Sequence, residues 1–77
     1  MATKDVLTAF REELRERRLE REWSQESLAE KGGLHRNYIG LLERGERNPT
    51  LSTLESLAKA FKTKASEFLY AVEKRMK

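Results

Sequence analysis

An all-α fold of five helices, packed as one compact domain over residues 1–77, is what the sequence predicts, and three observations carry it. Apolar residues recur at spacings of three and four along the chain. No segment alternates with a strand's period of two for long enough to compete. The length of 77 residues suits one domain, and no internal repeat, low-complexity tract or linker divides it.

The first helix is marked by Leu7, Phe10 and Leu14, set among alternating charges that read as a solvated, salt-bridged outer face. Trp23 ends this segment. Ser24 and Gln25 open the second helix: serine is a good N-cap, although Ser27 only weakly imitates the acidic partner of a capping box. Leu28 and Ala29 give that helix its inner face, and Gly32 with Gly33 stops it, since glycine readily takes the left-handed conformation that ends helices. The third helix runs from near His35 to Gly45. "RNPT" then makes a turn, with Pro49 as the breaker and Thr50 as the N-cap of the fourth helix. Leu51, Leu54, Leu57, Ala58 and Phe61 form its stripe. The fifth helix, about 65–76, carries Phe68, Leu69, Val72 and Met76.

Composition removes several function classes. There is no cysteine, so neither disulfides nor a thiolate zinc site can staple the chain. A domain this short buries a smaller fraction of its surface than a larger one, so stability must come from helix packing, and a second subunit is a further source open to it. The longest apolar run, "FLYAV", is far below the ~20 residues of a membrane span. No signal peptide is visible, and the expected location is the cytoplasm. The net charge of +3 suits nucleic acid but is weak support for it, because the surplus lies in residues 62–77 and on charge alone reads first as a solvated basic tail. No phosphate-binding "GxxxxGK" or paired-histidine motif is present, and the carboxylates of the first helix are interleaved with arginines. His35 is the only histidine, reads as a helix-start residue and lacks partners for catalysis or metal binding. Neither an enzyme nor a cofactor is expected.

The two short helices around Gly33 have the shape of a helix-turn-helix over about 24–44, in which the second helix can enter the DNA major groove. On this pattern alone a helical hairpin that only packs remains open. The third helix is more informative. Leu34, Ile39 and Leu42 share its inner face, yet Leu41 and Gly40 fall outside, with Asn37 and Arg44; Arg36 lies at the edge near the N-terminus. A helix-interior glycine costs about 1 kcal/mol relative to alanine, so something other than helix stability favours Gly40. A surface that approaches DNA closely accounts for both oddities: arginine and asparagine read base edges, and leucine touches a thymine methyl.

Residues 23–61, "WSQESLAEKGGLHRNYIGLLERGERNPTLSTLESLAKAF", resemble the helix-turn-helix domain of XRE-type, lambda-repressor-like transcriptional regulators. The resemblance rests on Ser24–Gln25, Ala29, Gly33, Ile39, the "LERG" at 42–45 and the "NPT" turn. The chain most resembles the controller proteins of restriction–modification systems, whose "HRxYI"-like segment matches His35–Ile39. Thr63–Lys64 departs from the more apolar connection usual in the family. The resemblance implies a five-helix lambda-repressor-like fold and a homodimer on a pseudo-palindromic operator in double-stranded DNA, altering RNA polymerase access. The competing class is an antitoxin or phage-type repressor whose main partner is another protein.

Arg36, Asn37 and Leu41 are the expected base contacts. Gln25 and Asn48 fall where the family contacts the DNA backbone, and Arg44 and Arg47 are suited to neutralise phosphates; Gln25 reads equally as a capping side chain. Arg18 lies on the apolar stripe of the first helix and needs a partner, while Glu43 occupies the inner side of the third. Family members have a comparable pair, so a buried Arg18–Glu43 salt bridge is expected. The stripe of the fifth helix is broader than one neighbour can cover, which makes Leu69, Val72 and Met76 the expected dimer interface and leaves Phe68 to the core.

Overall fold

A computed structural model, describing residues 4–77, contains five α-helices: α1 (Val6–Glu20), α2 (Gln25–Gly32), α3 (Arg36–Glu43), α4 (Leu51–Ala60) and α5 (Ala65–Arg75). No strand occurs among the described residues. Each start has a local cause. The Asp5 carboxylate accepts from the Thr8 amide at 2.8 Å, Ser24 Oγ from Ser27 at 2.9 Å and Thr50 Oγ1 from Thr53 at 3.1 Å. Residue 64 is a lysine, which has no acceptor to offer, so α5 begins differently. Glu67 reaches back to accept from the Lys64 amide and from Thr63 Oγ1. The polar connection that departs from the family pattern is therefore half of a capping box.

The chain turns out of α1 earlier than Trp23. Arg21 caps α1, Glu22 takes a left-handed φ of 57°, and Trp23 folds back onto Phe61 at 5.6 Å between ring centroids. Phe61 continues to Phe68 at 6.1 Å, and Phe68 to Phe10 at 5.9 Å. This aromatic column runs through the centre and joins the turn before α2 to the end of α4, to α5 and to α1. Leu14, Leu28, Ile39, Leu42 and Leu57, all fully buried, complete the core around it.

The charged face of α1 is less solvated than its sequence suggests. Arg17 lies over the Phe68 ring and Arg21 over that of Phe61, at 5.0 and 4.9 Å. Glu13 is only 8% exposed and accepts from Arg17, one turn on, and from Arg75 Nε at 2.7 Å. Arg75 also reaches Glu16, so the last turn of α5 is fastened to the middle of α1.

Burial pushes the Glu13 carboxyl up, but the bonds from Arg75 and Arg17 outweigh it and hold the group below the ordinary glutamate value of 4.5. A carboxylate held below its unfolded value stabilises the fold above that value, and the contribution is lost as pH falls through the folded one. Glu13→Gln should therefore cost about 1–2 kcal/mol at neutral pH, and less as a urea titration is repeated below about pH 4.5. A cost that is the same at both pH values would show that the ion pairs contribute nothing.

Three expectations about apolar faces need correction. Leu51 is 83% exposed, because it is the first residue of α4 and nothing packs over that end. Val72 is fully buried, one turn from the equally buried Phe68, on the face of α5 that joins the core. It is core rather than interface. Met76 is half-buried and packs against the same core cluster. What α5 leaves outside is Leu69, 36% exposed, and Tyr70, 61% exposed.

Candidate nucleic-acid interface

α2 and α3 pack directly on each other across a three-residue turn. Gly33 closes α2 at φ 67°, where a side chain would be strained, and the Leu34 amide returns to the Ala29 carbonyl at 2.8 Å. His35 then serves as N-cap of α3, its Nδ1 accepting from the Asn37 amide at 3.1 Å. The helix is held from inside by Ile39 and Leu42, and from the side by a hydrogen bond between the Tyr38 and Thr53 hydroxyls at 3.0 Å. Its far end is held by Arg11, whose Nη1 donates to the Arg44 carbonyl at 2.9 Å. Arg11 crosses the chain at Gly45, where any Cβ would lie 2.7 Å from that guanidinium and where φ is 76°. Arg11 does not stand out in the sequence, and Tyr38 does so only as part of the "HRxYI"-like segment, since both act on partners far along the chain.

The Arg18–Glu43 pair fixes the orientation of α3. Arg18 Nε and Nη2 donate to the two carboxylate oxygens at 2.7 and 2.9 Å, and Nη1 donates to the Trp23 carbonyl at 2.9 Å. The side chains are 10% and 3% exposed. The bonds to Glu43 outweigh burial and raise the proton affinity of Arg18 above its ordinary value. Gln25 joins this pair: its Nε2 donates to Glu43 Oε1 at 3.0 Å. One carboxylate thus ties α1, α2 and α3 together. The capping of α2 belongs to Ser24, so the Gln25 side chain is a cross-helix tie rather than a cap.

On the outer side, Gln25, Arg36, Asn37, Leu41 and Arg44 line one cleft of about 560 Å3. Arg36, Asn37 and Arg44 are exposed and Leu41 is half-buried. Arg44 Nε donates to Glu46 at 2.7 Å in a pair open to solvent. The structure does not bring Arg47 and Asn48 into this cleft. Both are exposed on the loop before α4, and Asn48 borders a different, largely apolar groove with Val6, Leu7, Pro49 and Leu69. Gly40 also departs from expectation. It is buried, not open: Gln25 and Arg44 cover it from outside.

The helix-turn-helix family model matches residues 14–68. The control protein C.SmaI of Serratia marcescens is 51% identical over 65 residues, covering 84% of this chain and 77% of that protein. The restriction–modification controller protein C.AhdI of Aeromonas hydrophila superposes with a TM-score of 0.75 at 42% identity, over 80% of this chain and 94% of its own. The controller protein C.Esp1396I, solved as a tetramer with its natural 35-base-pair operator, superposes with a TM-score of 0.85 at 32% identity, over 95% and 96% of the two chains.

Proposed function

The chain belongs to the helix-turn-helix family, and from that premise we propose that it is an XRE-type, sequence-specific DNA-binding transcriptional regulator. It acts as a homodimer on a two-fold operator, as a controller protein of a restriction–modification system, and alters RNA polymerase access to the promoter it occupies. In this reading it works with the DNA in the cytoplasm and catalyses nothing. No described helix is long and apolar enough to cross a membrane, and no cluster of His, Asp or Glu among the described residues could hold a metal.

The observation that carries the reading is the cleft on α3. A helix whose inner face is locked to α1 and α2 offers polar and apolar side chains together on its free face, which is the set that reads base edges in a major groove. Arg36, Asn37 and Leu41 are the base contacts in this account. Gln25, Arg44, Arg47 and Asn48 meet the backbone and set register without specifying sequence. In a dimer the two α3 helices enter successive major grooves about 34 Å apart on one face of the duplex.

The two groups should fail differently. Arg36→Ala should weaken a cognate operator by about 1–3 kcal/mol, leave random-duplex binding nearly unchanged and relax preference at one base pair per half-site. Arg47→Ala should weaken both duplexes alike and flatten the dependence on salt by about one ion. Fluorescence anisotropy on both duplexes across a salt series reads the two effects. Equal losses on both duplexes for Arg36→Ala would make Arg36 a phosphate contact and remove it from the reading set.

A further inference from the structure

We propose that Gly40 is a positioning residue: by lacking a side chain it seats the Arg44 guanidinium and the Gln25 carboxamide side by side on the outer face of α3. The proposal rests on the reading of that face as the DNA-binding one. Gly40 is buried although it points away from the core, and what buries it is polar. A Cβ built there lies 3.0 Å from Arg44 Nη1 and 3.4 Å from Gln25 Oε1, tight enough that the guanidinium must give way by a few tenths of an ångström from its seat. Each of these side chains is also held from its other side: Arg44 Nε by Glu46 at 2.7 Å and Gln25 Nε2 by Glu43 at 3.0 Å. Two flexible polar groups, one from α2 and one from the C-cap of α3, therefore converge over the bare backbone of Gly40. Gln25 turns its Oε1 toward the glycine and commits Nε2 to Glu43, so the donors offered to a phosphate at this spot are those of Arg44, already gathered in one place, and fewer rotamers are frozen on binding. The space above the glycine is filled by protein, and DNA meets Gln25 and Arg44 there rather than the backbone of α3.

Gly40→Ala separates this from ordinary helix stability, because alanine is the better helix former. The variant should melt at a higher temperature than the wild type while binding a random-sequence duplex about fivefold more weakly, with a shallower salt dependence. The loss arises through Arg44, so it should vanish in an Arg44→Ala background, where Gly40→Ala should change neither affinity nor salt slope further. A penalty of the same size in both backgrounds overturns the proposal, since the glycine would then face DNA itself. So does a Gly40→Ala variant that binds with the affinity and slope of the wild type. If Arg44→Ala alone binds as tightly as the wild type, the assignment of Arg44 to the DNA backbone fails and takes the proposal with it. If the wild type shows no salt-dependent binding of duplex DNA, the functional reading itself is at fault.

Discussion

Arg18→Met should lower the stability of the protein by about 3 kcal/mol, the low end of what removing one partner of a buried ion pair costs. The low end applies because Gln25 Nε2 still donates to Glu43 when Arg18 is gone, whereas the Trp23 carbonyl loses its donor outright. The cost belongs to the orphaned carboxylate more than to the lost attraction. Replacing both groups, as in Arg18→Met with Glu43→Leu, should therefore recover most of it. The double variant has a second use. It leaves Gln25 without the carboxylate that holds it, so it should be stable yet bind DNA less well. Urea titration of the three proteins gives the stability ranking. A loss below about 0.5 kcal/mol for Arg18→Met would mean that the pair is solvated.

Leu69→Asp should yield a folded monomer that binds its operator roughly a hundredfold more weakly, because two linked half-site contacts become one. Leu69 is 36% exposed and shares a groove with Val6, Leu7 and Pro49, while Tyr70 beside it on α5 is 61% exposed. At the proposed interface, aspartate would meet solvent in the monomer and a second copy's apolar face in the dimer. Val72→Asp is the contrasting variant: Val72 is fully buried, so it should unfold the chain instead of dividing the dimer. Sedimentation equilibrium decides between them. A Leu69→Asp protein that still dimerises at the wild-type concentration would place the interface on another surface.

Helical spacing made much of this molecule legible. Five apolar stripes, the Ser24 and Thr50 caps and the Gly33 stop suffice to place the helices within a few residues. Arg18 was visible as a charge on an apolar stripe, and Glu43 as the nearest inner-side acid. A projection of one helix shows which way a residue points but not what covers it. For that reason Val72 looked available for a partner and is core, and Leu51 looked like core and is exposed. Gly40 is the sharpest case. Its outward direction was readable, but its cover comes from Gln25 on another helix and from Arg44, whose rotamer no periodicity records. Arg75 on Glu13 and Arg11 on the Arg44 carbonyl are likewise contacts between positions 62 and 33 residues apart, which single-helix patterns cannot reveal.

The fastening of α5 to α1 has a consequence for how such a regulator diversifies. α1 packs against α3 on one side and α5 on the other. In a dimer joined through Leu69 of α5, as the sequence leads one to expect, α1 would be the arm of a calliper whose jaws are the two reading helices and whose pivot is the pair of α5 helices. The opening of the jaws would be set by Glu13, Arg75 and the aromatic column, and Arg36, Asn37 and Leu41 on α3 would not enter into it. Base preference and tolerance for half-site separation are then inherited separately. A lineage could then acquire a new operator sequence through Arg36, Asn37 or Leu41 while keeping its gauge, and change its gauge through residues that never approach a base.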